Sequence, residues 1–262
     1  MKIIVCIKQV PGTNKVDIDP KTGTLVRKGV NSKLNPYDLY ALEAAFELVE
    51  RFGGSVTTIT MGPPQAKAVL EESIWMGADE GVLLSDRAFG GADVAATSYC
   101  LSLGIEKIGD YDLILCGKQT TDGDTAQVGA EVSEYLGIPN VANVLSVDDV
   151  KDGLLYVTAS LDEKVVKMTV KLPCLISVDG DINSPRLPSY KVKKTLTGDE
   201  VKFLSFADFG DQNADHYGLT GSATQVERIF PPEMKKERAA ITGTPEEKTE
   251  ALFGIIAEKK LI

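Results

Sequence analysis

Short, continuously apolar runs alternate with helix-period segments along the first two-thirds of the chain. That alternation is the signature of a mostly parallel sheet covered by helices on both faces, with right-handed crossovers. The run Lys2–Val10 reads as a strand buried on both faces. Val16 to Arg27, around Pro20-Lys21-Thr22-Gly23, reads as an excursion hairpin. Asn35-Pro36 then opens a helix: Asn35 suits the N-cap, Pro36 the first turn, and Asp38 places negative charge there. Gly53 ends it. Strands follow at Val56–Met61, Gly81–Ser85, Asp112–Cys116, Val141–Val147 and Leu175–Val178. Helices fall at Gln65–Met76, Ala92–Ile108 and Asp124–Leu136, and Leu154–Thr158 with Val165–Val170 forms a hairpin.

After Asn183 the pattern changes. Pro185, Pro188, Pro231 and Pro232 punctuate a polar stretch with weak periodicity. Thr244-Pro245-Glu246-Glu247 is a capping box with proline at the first helical position, and the helix it starts carries Leu252, Ile255 and Ile256 on one face. The expected division is an α/β domain over 1–190 and an extended C-terminal arm, ending in a helix, over 191–262. An arm that covers a partner accounts for the final apolar face; a tail without a fixed surface is the plainer account.

Composition narrows the function. The net charge of −10 over 262 residues argues against nucleic acid and anionic membrane as general partners. No apolar run approaches the ~20 residues of a membrane span, and the N-terminal run is too short for a signal segment with a cleavage site. A cytoplasmic protein is expected. Four cysteines without a CxxC pair, and one histidine remote from them, make a resident zinc or iron–sulfur site unexpected. Cys6, Cys116 and Cys174 lie in apolar runs and read as reduced, buried thiols.

Parallel sheets bind ligands at the carboxyl ends of their strands, so the residues after strands carry the functional reading. Gly117-Lys118-Gln119-Thr120-Thr121-Asp122-Gly123-Asp124-Thr125-Ala126-Gln127 follows a buried strand and leads into a helix. Gly117 and Gly123 allow tight turning and close approach to a ligand. Free N–H groups at a helix start favour phosphate, the threonines and Gln127 add donors, and Lys118 adds charge. A capped turn with Asp124 as N-cap explains the same residues. The stretch Ser85 to Thr97 joins another strand to a helix: Gly90 and Gly91 admit close approach, and Arg87 suits a phosphate. A flexible connection with an ordinary surface arginine is the plainer account. Asn35 to Asp38 is accounted for by a good helix start. No Ser-His-Asp or Cys-His constellation can be assembled, so chemistry, if any, belongs to a bound cofactor.

Several of these stretches, in order, resemble the beta subunit of electron-transferring flavoproteins. They are VCIKQVPG at the start, LNPYD at 34–38, ITMGPPQA at 59–66, GADEGVLL at 77–84, DLILCGKQTTDGDTAQVG at 112–129 and VKLPCLISVDGDINSPRLPS at 170–189. The resemblance implies a parallel adenine-nucleotide-binding domain whose C-terminal arm embraces an alpha subunit. It implies nucleotide contacts from Cys6, Asn35, Pro36, Tyr37, Asp38, Met61 and Gly117 through Val128, with Cys6 and Met61 giving backbone and van der Waals contact. Leu187-Pro188 matches the apolar anchor of a docking loop for a client flavin-dependent dehydrogenase, although the loop is shorter here; packing on its own subunit would explain Leu187 as well. In the simple carriers of the family this pocket holds AMP. In the electron-bifurcating branch it holds FAD, which takes hydride from NADH and passes one electron towards the alpha-subunit FAD and the client and the other to ferredoxin or flavodoxin. TTDGDTAQ, together with Arg87, Gly90, Gly91, Asp93 and Thr97 in SDRAFGGADVAATS, resembles the bifurcating type. The client would be an acyl- or enoyl-CoA or a 2-hydroxyacid dehydrogenase. Beside these stands a different class, a stand-alone ATP-binding module of the same fold.

Overall fold

The computed structural model describes residues 1–12, 32–227 and 240–261. The hairpin expected over Val16 to Arg27 lies outside them. Residues 1–227 and 228–262 form two compact units.

The first unit is built on a nine-stranded sheet. In chain order its strands are β1 (Lys2–Cys6), β4 (Ser55–Met61), β5 (Glu80–Leu84), β6 (Leu113–Gly117), β7 (Asn140–Lys151), β8 (Leu154–Leu161), β9 (Lys164–Lys171), β10 (Cys174–Val178) and β11 (Val201–Leu204). A separate antiparallel pair, β2 (Gln9–Pro11) and β3 (Ser32–Leu34), stands beside it. The spatial order is β11-β5-β4-β1-β6-β10-β7-β8-β9. The first seven strands in that order are parallel and the last two pairings antiparallel.

Alternate residues of β1 face opposite layers. Ile3 and Val5 join Leu42, Phe46 and Leu70 from α1 (Pro36–Phe52) and α2 (Lys67–Met76). Ile4 and Cys6 join Leu101, Ile105 and Val132 from α3 (Val94–Ile108) and α4 (Val128–Leu136). The sheet is therefore covered on both faces, as the alternation predicts. All four cysteines are free and buried.

Two expectations need correction. The first strand does not run to Val10. Ile7 still donates to the Ile59 carbonyl (2.9 Å), but the Lys8 N–H turns away to the Asp38 carboxylate (2.7 Å), and the chain leaves the sheet. The stretch after Asn183 also has a core contribution. A short helix, α5 (Tyr190–Thr195), leads to β11, which pairs with β5 at the sheet edge. Beyond it Phe209 and Tyr217 are buried against Phe89. The boundary expected after residue 190 thus falls inside the first unit.

In the second unit, α6 (Pro245–Glu258) begins on the predicted capping box, with Thr244 and Glu247 capping each other. Leu252, Phe253 and Ile255 are exposed on it. Among the described residues no helix is long and apolar enough to cross a membrane.

Candidate functional site

The strand order reverses direction at β1. From β1 the chain builds β4 and β5 on one side, then crosses to β6 on the other. Such a switch point opens a crevice at the carboxyl ends of the two central strands. Here Cys6 is the register partner of both Ile59 and Cys116, and Gly117 of Val178. Most of the residues singled out from sequence come together around this end: Cys6, Asn35 to Asp38, and Gly117 to Val128, with Met61 ending the neighbouring β4.

Hydrogen bonds lock these pieces to each other. Asn35 is fully buried, and its amide donates to the Asp38 carboxylate (2.9 Å) and the Gln119 carbonyl (2.9 Å) while accepting from Thr121 N–H (3.2 Å). It stands at the N-cap position of α1 but makes no side-chain cap bond. Lys8 reaches across the crevice mouth to Asp122 (2.9 Å to each oxygen). Burial opposes the Asp122 charge, but the Lys8 ammonium and its hydrogen bond outweigh it and hold the carboxyl below its ordinary range. Lys118 pairs with Asp179 (2.9 Å), which that bond holds below its usual range.

The loop itself departs from the sequence reading. The helix starts at Val128, not at Asp124, because Asp124 (φ 54°) and Ala126 (φ 56°) are left-handed and cannot continue a right-handed helix. Asp124 is not an N-cap; its carboxylate accepts from the Gln119 side chain (2.6 Å). Gly117 and Gly123 do not supply the unusual backbone. Gly117 is glycine because a Cβ there would lie 2.5 Å from Asp38 Oδ1 and 2.6 Å from the Tyr37 carbonyl carbon. Among the described residues Gly123 is open, with only Thr120 Oγ1 at 3.5 Å from an added Cβ.

Left-handed Ala126 followed by right-handed Gln127 turns successive N–H groups to one side, a nest that binds anions. No side chain caps the α4 start just beyond it, so its first N–H groups add to the same concavity. Gly129 brings this helix end close to the sheet: a Cβ there would meet Leu175 at 3.3 Å and Cys116 at 3.6 Å. Thr121 to Gln127 are exposed around the nest. The arrangement fits a phosphate or pyrophosphate, and two left-handed non-glycine residues in three positions are the strain expected where a ligand is held.

The Arg87–Thr97 stretch follows β5, two strands from β1. Gly91 is left-handed (φ 76°), whereas Gly90 is not. Asp93 has structural work: it caps α3 through Ala96 N–H (3.0 Å) and accepts from the Thr224 N–H (2.8 Å) and hydroxyl (2.9 Å). Leu219 N–H donates to the Gly90 carbonyl (3.0 Å). Arg87 is exposed and in no ion pair among the described residues. Thr97 is half-buried one turn into α3. The sequence reading missed Lys8, Asp179 and Gly129.

Burial pushes the Asp38 carboxyl up to about 7, against the lowering effect of the Asn35, Lys8 and Gly117 donors. An unfolded aspartate titrates near 4, so the folded value is raised. The stability tied to the protonated form is fully present below about pH 4 and lost as pH rises through 7, on the order of a few kcal/mol. Urea denaturation between pH 5 and 8.5 should show the wild type weakening with pH more steeply than Asp38→Asn; equal slopes would refute this.

Comparison of the sequence with known proteins places it in a family. The electron transfer flavoprotein domain model matches residues 22–202. The chain is 45% identical to the electron transfer flavoprotein subunit beta of Thermoanaerobacterium thermosaccharolyticum over 263 residues, covering 100% of both chains. It is 45% identical to the Clostridium acetobutylicum protein of the same name over 241 residues, covering 92% of each. It is 44% identical over 264 residues to the caffeyl-CoA reductase-Etf complex subunit CarD of Acetobacterium woodii, covering 100% of both.

Proposed function

The chain belongs to the electron transfer flavoprotein family, as a beta subunit, and on that premise we propose that its crevice holds FAD and serves an NADH-oxidising, electron-bifurcating complex in the cytoplasm. The observation that carries the reading is the nest at Ala126–Val128 beside an open, small-residue loop. A phosphate is satisfied by the nest in either an AMP or an FAD site. What favours the larger ligand is the space around it: among the described residues Gly123 has no neighbour within 3.4 Å of an added Cβ, and Thr125 and Ala126 are small and exposed.

When bound, FAD would supply the hydride acceptor for NADH and the branching of its electrons towards an alpha-subunit FAD and towards ferredoxin or flavodoxin. The residues of this chain bind and orient. Asn35 fixes the loop to α1, Lys8 and Asp122 close one side of the mouth, and the α4 start directs positive potential at the phosphates. The exposed face of α6 is the surface we assign to the alpha subunit. The CarD relative, named as a subunit of a caffeyl-CoA reductase complex, supports a CoA-ester dehydrogenase as client.

The test is flavin stoichiometry and NADH reducibility of the purified heterodimer. Two FAD per heterodimer, with bleaching by NADH, is expected; one FAD with AMP in the second place sinks the reading. Gly123→Gln is expected to leave the fold intact and expel the second flavin in favour of AMP, because the added side chain occupies loop space and not core. Retained FAD at full stoichiometry in that variant would count against the space argument.

A further inference from the structure

Residues 183–189, between β10 and α5, form a strap across α1 and α2. Asn183 donates to the Tyr40 carbonyl (3.0 Å), and Ser189 N–H donates to the Trp75 carbonyl (2.7 Å). Between them Arg186 is held more firmly than any other residue of the strap. Its backbone N–H and guanidinium both reach Glu43, with three contacts of 2.9 Å, and the guanidinium also reaches Glu50 (2.9 Å). The guanidinium lies 5.0 Å over the Phe46 ring. Glu43 is 6% exposed. Burial opposes its charge, but the Arg186 fork outweighs burial and keeps the carboxyl below its ordinary range.

Only Leu187 and Pro188 separate the two clamps. Leu187 is 88% exposed, the highest value among the exposed large apolar side chains of the described residues. Among the described residues this leucine, held out between two fixed points, is a knob without a socket. The segment that follows is basic, with Lys191, Lys193 and Lys194 in α5, on a chain whose net charge is −10. Tyr190 adds a second exposed apolar surface.

We propose that Arg186 is a positioning residue that presents Leu187, rigid and outward, to an apolar socket rimmed by acidic residues on the client flavin-dependent dehydrogenase. This rests on the docking role proposed for Leu187 in the family reading. Rigidity matters because a preordered knob loses little conformational entropy on docking. The lysines steer the encounter and make it sensitive to salt.

The experiment uses the intact heterodimer with a flavin-dependent acyl-CoA dehydrogenase as the probe. Steady-state kinetics gives KM for the heterodimer and kcat, and hydrogen exchange by mass spectrometry covers residues 183–190. Arg186→Lys keeps the charge that buried Glu43 needs but removes the fork. Leu187→Ala is expected to raise KM about tenfold, the effect of ~1.4 kcal/mol of anchor binding, with kcat unchanged. Arg186→Lys is expected to speed exchange at Leu187 and Ser189 and to raise KM several-fold, and the double variant to be no worse than Leu187→Ala alone. Lys191→Gln with Lys194→Gln should flatten the rise of KM with ionic strength. An unchanged KM in Arg186→Lys despite faster exchange, or additive effects in the double variant, overturns the positioning role alone. An unchanged KM in Leu187→Ala overturns the docking reading beneath it. Loss of heterodimer assembly in either single variant overturns both, because the strap then faces the alpha subunit. The flavin count and NADH bleaching report the cofactor reading separately.

Discussion

Gly117→Ala is expected to lower the stability of the domain by about 3 kcal/mol and to weaken nucleotide binding with it. The substitution looks mild, since Gly117 has an ordinary backbone conformation that alanine adopts freely. Space decides the outcome. The added Cβ would sit 2.5 Å from Asp38 Oδ1 and 2.6 to 2.8 Å from the Tyr37 carbonyl group. These are not the ends of flexible side chains. Tyr37 is in the first turn of α1, and Asp38 is buried and tied to Lys8 N–H and Asn35. Relief requires α1 to move off β6, and overpacking of that kind costs roughly 1–3 kcal/mol before lost hydrogen bonds are added. A drop in Tm of about 6–12 °C follows for a domain of this size. Gly123→Ala is the control. Its Cβ meets nothing closer than 3.5 Å, so it should stay within about 0.5 kcal/mol of wild type. Thermal denaturation of the two variants checks the contrast; similar melting points would show that α1 yields without cost.

That contrast shows where sequence was informative and where it stopped. The sheet was legible because burial on both faces leaves continuous apolar runs such as Leu113–Cys116, and the covering helices leave a different period. Edge strand β11 was not. With Lys202 and Phe203 exposed, Val201–Leu204 has neither alternation nor a continuous run, and only pairing with β5 makes it a strand. The pairing takes the edge of the sheet into the region read as an arm.

The candidate site was legible in which residues the fold gathers at the strand ends and not in its local backbone. Parallel topology alone sends ligands to the strand ends, so Gly117–Gln127 could be found. The backbone that would suit the loop to an anion was hidden because the left-handed residues are Asp124 and Ala126. Aspartate visits φ near +55° more often than most residues, but an alanine does not announce it. The glycines that did attract notice turn out to matter for space at one position and for openness at the other. Lys8, Asp179 and Glu43 were invisible for a further reason. Their partners lie 114, 61 and 143 residues away, and a charge pair at that separation leaves no local pattern.

Asn35→Ala is expected to be as damaging as the glycine change, by a different route. In sequence, Asn35-Pro36 is a complete helix start, and a cap explains it fully. A cap can be exchanged: serine, aspartate and asparagine are near equals there. The structure gives Asn35 another task. Its amide has no water to return to, and it joins Asp38, Gln119 and Thr121 at once. Removing it breaks three bonds and strands the Gln119 carbonyl and the Thr121 N–H, about 3 kcal/mol if each lost partner costs ~1. The loop at 119–121 is then released from α1, and under the proposed function nucleotide affinity should fall more than about tenfold, since a loose nest must be ordered at the ligand's expense. The two roles separate on Asn35→Asp. Under the cap role it is neutral. Under the strut role it is worse than alanine, because it loses both donated bonds and sets a second carboxylate against buried Asp38. Urea denaturation of the three proteins, with titration of the nucleotide released from each, reads the difference: an aspartate variant as stable as wild type leaves only the cap.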